Sequence, residues 1–261
     1  HYWCDVRRAV GDLCERRISE GKEWGVLGYM VGEDWCDAEG ISGRVYRDLG
    51  LVSAFDFDGK ELISGPMSDL SKGGLENGWD DVVKIYSKPT ERGYASDDVF
   101  PNLFLSNHDG FRLADHFYDQ GEEINVMTRY AILAGYPGPV TMYYGDEFGD
   151  LSRDAAGSQP DNAARTSGHI MADSEREAHL YNYVAKVMNF RHDNPAMWRG
   201  EQEFKRYRNG EAEVLVVTKT DTESENKVVM VFADKDTTEI VDGVPYPVEV
   251  KGFVPELIRI S

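Results

Sequence analysis

Asn102-Leu103-Phe104-Leu105-Ser106-Asn107-His108-Asp109 and Pro139-Val140-Thr141-Met142-Tyr143-Tyr144-Gly145-Asp146-Glu147 decide how the chain reads. Each is a short apolar run that stops at carboxylates. Runs of this length, rich in aromatic and β-branched residues, predict buried strands, and residues 122–134 between them carry helical spacing. The same alternation extends outward. Residues 24–31 predict a strand ending at Gly32-Glu33-Asp34-Trp35, and residues 51–57 a second strand running into the turn pair Asp58-Gly59. Helices are predicted over residues 6–18, 44–49, 79–86 (closed by Pro89) and 174–192. Alternating strands and helices predict an α/β chain, built on a parallel sheet or a barrel, with reactive groups where strands end.

The pattern changes after Gly200. Residues 201–261 hold eleven Val and two Leu, with apolar residues clustered at 214–217 and 228–232. Such β-branched runs predict a small antiparallel β-domain with hairpin turns at Asn209-Gly210 and Asp242-Gly243. Residues 1–198 and 199–261 are therefore expected to form two domains. The second offers neither a nucleophile nor a metal cage.

Charge narrows the partners. The 261 residues carry 28 Lys+Arg against 47 Asp+Glu, a formal charge of −19. A surface of that sign repels nucleic acid and anionic lipid but not a neutral substrate. The longest apolar stretch, residues 131–144, contains Pro137 and Pro139 and is too short to span a bilayer as one helix. The opening His1-Tyr2-Trp3-Cys4-Asp5 has no basic segment followed by an apolar one, which leaves location open, an extracytoplasmic or secreted one included. Cys4, Cys14 and Cys36 are odd in number, lack Cys-x-x-Cys spacing, and read as buried thiols.

Glu33 and Asp109 each close a predicted strand, and Asp5 closes the first apolar fragment, so a barrel would bring three carboxylates to one rim. Three carboxylates there provide a nucleophile, a general acid and a substrate-holding group, the set needed for glycoside hydrolysis. A single one, taken alone, reads first as a loop carboxylate that caps a helix or pairs with an arginine. His108 has no second His at ligand spacing, so a metal reading is weak. It reads as a donor to a sugar hydroxyl or as a structural histidine. Trp35, Tyr143, Tyr144 and Phe148 near the same rim suit either core packing or stacking on sugar C–H faces.

The segments Gly32-Glu33-Asp34-Trp35, Phe104-Leu105-Ser106-Asn107-His108-Asp109-Gly110-Phe111-Arg112 and residues 138–149, in this order and spacing, resemble the alpha-amylase family, glycoside hydrolase family 13. Tyr2-Trp3-Cys4-Asp5-Val6 resembles its nucleophile segment. The resemblance implies a (β/α)8 TIM barrel, present from strand 4 to strand 8, followed by a small antiparallel β-sandwich. It implies a retaining hydrolase of α-linked glucans or maltooligosaccharides, with Asp5 as nucleophile, Glu33 as general acid/base and Asp109 as the carboxylate that steadies the transition state. Asn107, His108, Arg112 and Trp35 would bind substrate. No cofactor is evident; a structural calcium would belong to the full-length protein, in an insertion of the barrel's first half that is missing here. Trp3 stands where the family has an arginine, which favours a second reading, a sugar-binding or structural relative without the chemistry.

Overall fold

The computed structural model describes residues 2–35, 40, 43, 51–118, 121–152 and 163–260, and the helix expected at 44–49 lies outside them, as does Cys36. The chain is α/β with antiparallel sheets. Its internal contacts divide it into residues 1–58 with 87–103, and residues 59–86 with 104–261.

In the first unit, α1 spans Tyr2–Ser19. Arg17, in its last turn, donates from Nε and Nη2 to the Trp24 carbonyl (3.0 and 2.9 Å) and lies 3.9 Å over the indole, which ties the helix to the segment after it. The strand expected at 24–31 does not form. Gly25 and Gly28 both take left-handed backbone (φ +65° and +64°), which breaks an extended run, and Trp24, Leu27, Tyr29 and Val31 are exposed. What remains of the parallel order is a set of single bridges. Gly32 pairs in parallel with Ala54, and Phe55 in parallel with Asn102. Beneath them Leu51, Ala54, Tyr94 and Val99 form a small core. Buried Asp56 is held by Arg92 and by the Tyr94 hydroxyl (2.9 Å). Asp58-Gly59 is not a turn: both residues belong to α2, Phe57–Ser64.

The second unit contains α3 (Trp79–Tyr86), α4 (Glu122–Gly135), α5 (Glu175–Asp193) and α6 (Ala196–Arg199). Ser174 caps α5 by accepting the Glu177 N–H (3.2 Å). Strands β1 (Leu103–Phe104) and β2 (Val140–Thr141) are two residues each, shorter than the apolar runs that contain them. Beyond Gly200, β3 (Glu201–Asn209), β4 (Ala212–Asp221), β5 (Asn226–Ala233) and β8 (Glu256–Arg259) form one antiparallel sheet in the order β3-β4-β5-β8. A second hairpin pairs β6 (Thr237–Glu239) with β7 (Val248–Val250). Both predicted turns are present: Asn209 pairs with Ala212 around Gly210 (φ +59°), and Gly243 (φ +84°) lies between β6 and β7.

Alternation along β4 and β5 gives that sheet two buried faces. Val214, Val216, Val229 and Val231 share one core with Val248 and Val250. The opposite residues, Leu215, Val217, Val228, Met230 and Phe232, are also buried, and Trp79 packs 5.5 Å from Phe232. Lys219, on this second face, is fully buried.

Its partner is the carbonyl end of α4. A helix leaves its last four carbonyls without internal donors, and here each has a different one. Ile132 O accepts from the Tyr86 hydroxyl (2.8 Å), Leu133 O from the Tyr136 N–H (3.1 Å) and Ala134 O from Arg191 Nη1 (2.9 Å). Gly135 O accepts from Lys219 Nζ, which also donates to Met197 O (3.0 Å) in α6. Burial pushes the Lys219 ammonium well below the usual lysine range. A neutral amine still has two N–H donors for two carbonyls.

Replacing Lys219 leaves both carbonyls bare in a dry interior as well as opening a void. Lys219→Ala should therefore lower unfolding free energy by about 2–4 kcal/mol, and Tyr86→Phe by about 1 kcal/mol, read from urea midpoints. A Lys219→Ala loss below about 0.5 kcal/mol would show that these bonds are not needed.

Candidate active site

Asn107, His108 and Asp109 follow β1 in the second unit. The Asn107 Oδ1 accepts the Asp109 N–H (2.9 Å), a local turn that ties the two residues together. Its two oxygens have different neighbours: Oδ1 accepts from Arg165 Nη2 (2.6 Å) and Oδ2 lies 3.3 Å from His108 Nε2. Asp109 is partly exposed at 27% of its side chain, so it is open to a ligand while its geometry is held. Arg165 is a residue that sequence reasoning missed. It lies 56 positions from Asp109 in a polar loop, and no local signal links the two.

Arg112 is placed differently from expectation. The resemblance makes it a substrate contact, yet the side chain is fully buried. Nη1 donates to Tyr144 O (2.6 Å) and lies 3.4 Å from Asp146 Oδ1, while Nη2 donates to Thr166 Oγ1 (2.9 Å). Its guanidinium lies 4.9 Å from each of the Tyr143 and Tyr144 rings. With Nη1 and Nη2 committed to protein groups in this way, and Nε buried without a hydrogen-bond partner, Arg112 is a post that fixes the segment after β2 and the loop after Arg165. Phe148, also a candidate for sugar stacking, is buried against Tyr181 (5.2 Å between ring centres) and His169. Tyr144 is half-exposed.

Asp146, buried beneath this layer, accepts from the Ser106 hydroxyl as well as facing Arg112. Burial pushes its carboxyl up to about 7, against the Ser106 bond and the Arg112 charge. Lys60, on α2, is equally buried and donates to Gly65 O; burial lowers it to about 7, with Glu61 and Asp146 opposing. Burial also takes His116 down to about 4. Asp146 stands among the carboxylates that end the apolar run 139–147, whereas nothing in the sequence singles out Lys60 or His116.

The remaining candidates belong to the first unit. Glu33 follows the bridged Gly32 and is exposed; it does not close a strand, since a single bridge stands in place of the predicted strand. Trp35 stacks on the buried Phe57 (5.2 Å, 11° between planes) and leaves 55% of its surface exposed, a flat apolar platform. Asp5 does not end a strand. It sits in the first turn of α1, where a carboxylate suits the helix dipole, exposed and 3.3 Å from Arg8 Nη1. Trp3 is on the same helix and half-exposed, packed edge-on to Tyr2 (5.1 Å).

Among the described residues, His169, Asp173 and Glu177 present metal-ligand atoms within 4.8 Å of one another. The Glu177 carboxylate accepts the Asp173 N–H and its own N–H goes to Ser174, so helix capping accounts for Glu177. No helix among the described residues is long and apolar enough to cross a membrane.

Comparison with solved structures assigns the fold. Against AmyP in complex with maltose, 99% of this chain superposes with a TM-score of 0.75 at 23% identity, over 61% of that chain. The fold is that of the alpha-amylases. The alpha-amylase of Geobacillus thermoleovorans complexed with acarbose matches 97% of the chain (TM-score 0.62, 16% identity, 57% of its own length). The pullulanase of Paenibacillus barengoltzii, in complex with maltohexaose and alpha-cyclodextrin, matches 97% (TM-score 0.67, 14% identity, 46% of its own length). The chain thus spans about three fifths or less of each of these proteins. No protein-family model and no curated protein matches the sequence.

Asp146 and Lys60 give opposite pH signatures. Asp146 is raised from 3.8 to about 7, so the folded state holds a proton that the unfolded state releases; its stabilisation is full below about pH 4 and is lost as pH rises through about 7. Lys60 is lowered from 10.5 to about 7, so its contribution is full above about pH 10.5 and is lost as pH falls through about 7. Asp146→Asn should flatten the fall between pH 4 and 7 and leave the rise above 7 in place. Urea midpoints measured across this range for both proteins would refute the assignment if their difference were independent of pH.

Proposed function

We propose that the chain is the C-terminal part of a retaining glycoside hydrolase of α-linked glucans. Residues 1–198 are read as strands 4 to 8 of a (β/α)8 barrel and residues 199–261 as a β-sandwich. The observation that carries the reading is Asp109, a carboxylate open to solvent yet held on both oxygens, in the turn that follows β1 in a chain with the alpha-amylase fold. Maltose and maltohexaose in the solved neighbours support an α-glucan or maltooligosaccharide as substrate.

Glu33 acts as general acid, giving its proton to the glycosidic oxygen while a carboxylate attacks the anomeric carbon; as a base it then takes a proton from the water that resolves the covalent intermediate. Asp109, with Asn107 and His108 beside it, binds sugar hydroxyls and stabilises positive charge on the ring. Trp35 stacks on a sugar face. Asp5, exposed in the first turn of α1 beside Arg8, is the candidate nucleophile. Retention requires the two reacting carboxyls to stand about 5–5.5 Å apart. A structural calcium, if the full-length protein holds one, is assigned to the barrel half that this chain does not include.

The test is turnover of an aryl α-maltoside by the chain. Glu33→Gln and Asp109→Asn should each lower kcat at least about 100-fold without changing far-UV dichroism, and the first product seen by NMR should be the α-anomer. Wild-type rates in either variant remove that residue from the catalytic set. Maltotriose binding with no turnover in the wild type would instead support the non-catalytic reading.

A further inference from the structure

The sheet after Gly200 carries a cleft of about 320 Å³ that the proposed chemistry does not use. It opens on the face of the sheet that also builds the valine core, along β3, the edge strand of that sheet. Its volume lies in the range of about 300–1,000 Å³ that accepts small ligands. Val216 and Val241 are buried in its wall, and the Tyr207 ring stands among them.

Tyr207 is fixed before any ligand arrives. Its hydroxyl donates to Glu239 Oε2 (2.7 Å), and Glu239 in turn accepts from Asn209 Nδ2 (2.9 Å) and Thr237 Oγ1 (2.6 Å). The Lys205 ammonium lies over the ring, 5.6 Å from its centre, on a flexible arm that a ligand can displace. A locked aromatic wall beside mobile polar heads suits a molecule with apolar C–H faces and many hydroxyls.

The rim settles the charge class. Glu203 and Asp242 face Lys205 and Lys227, two charges of each sign, in a chain whose overall charge is −19. None of the four forms an ion pair among the described residues, so their donors and acceptors remain available to hydroxyls. An anionic ligand would meet two carboxylates and a cationic one two ammonium groups. We infer that this cleft is a second binding site for a neutral α-linked oligosaccharide, separate from Asp109 and serving to hold the glucan. The ligand class rests on the function proposed above; the site does not.

The chain should be titrated with maltotriose and, separately, with the β-linked cellotriose, following amide shifts by NMR. Maltotriose should shift amides within 203–207, 216–218 and 240–242, and cellotriose should shift them at least about fivefold less at equal concentration. Because Tyr207→Ala also removes core packing, changes at the half-buried Lys227 and the exposed Asp242 are decisive. Lys227→Ala and Asp242→Ala should each weaken these shifts about fivefold, with the thermal midpoint and aryl-maltoside turnover unchanged. Glu33→Gln should leave them intact, so loss of turnover and loss of this site are separate outcomes. Maltotriose shifts absent from these segments, or matched by cellotriose, would overturn the inference.

Discussion

The carbonyl end of α4 is the constraint on which the second unit depends. Four carbonyls converge there in a buried interior, and the donors come from four different places: α3, the residue after α4, α5 and β4. Arg191 extends the set by donating to Tyr136 O and Gly138 O, so one side chain fixes both the end of α4 and the approach to β2. Arg191 also brings a positive charge to the negative pole of the helix, where it is favoured. Through Lys219 the β-rich region is anchored to the helical one. Little else could tie an antiparallel sheet to the carbonyl end of a helix so directly, since apolar contacts alone do not satisfy backbone acceptors.

A second buried layer stands under the candidate site. Arg112 holds Tyr144, Asp146 and Thr166, and Arg165, one residue before Thr166, reaches Asp109. The partly exposed carboxylate is thus oriented by a loop that a buried guanidinium has already fixed. This is how a site keeps a carboxylate in place while leaving it open: the rigid bonds lie below, and only one or two partners share the ligand-facing oxygens.

How much the sequence revealed depended on how local the governing interaction was. The helices at 79–86, 122–135 and 175–193 were legible because amphipathic spacing, Pro89 and the Ser174 cap all act within a few residues. The hairpins at Gly210 and Gly243 were legible for the same reason. The strand expected at 24–31 failed because two left-handed glycines override an apolar run, and α2 was missed because Asp58-Gly59 carries a turn signature that tertiary burial of Phe57 and Ile63 overrides. At the site, Asn107, His108 and Asp109 were readable as a motif. Burial of Arg112 and the reach of Arg165 were not, since both arise from contacts more than thirty residues apart.

The proposed function stands on Asp109 gripping a glucose unit. A crystal structure of the chain soaked with maltotriose examines this contact without an intermediary. The Asp109 carboxylate should lie within about 2.6–3.2 Å of two hydroxyls on one glucose ring, with Arg112 still buried and still bonded to Tyr144 O. An Asp109 that keeps only Arg165 and His108 as neighbours, in crystals where maltotriose is bound elsewhere on the chain, would contradict it.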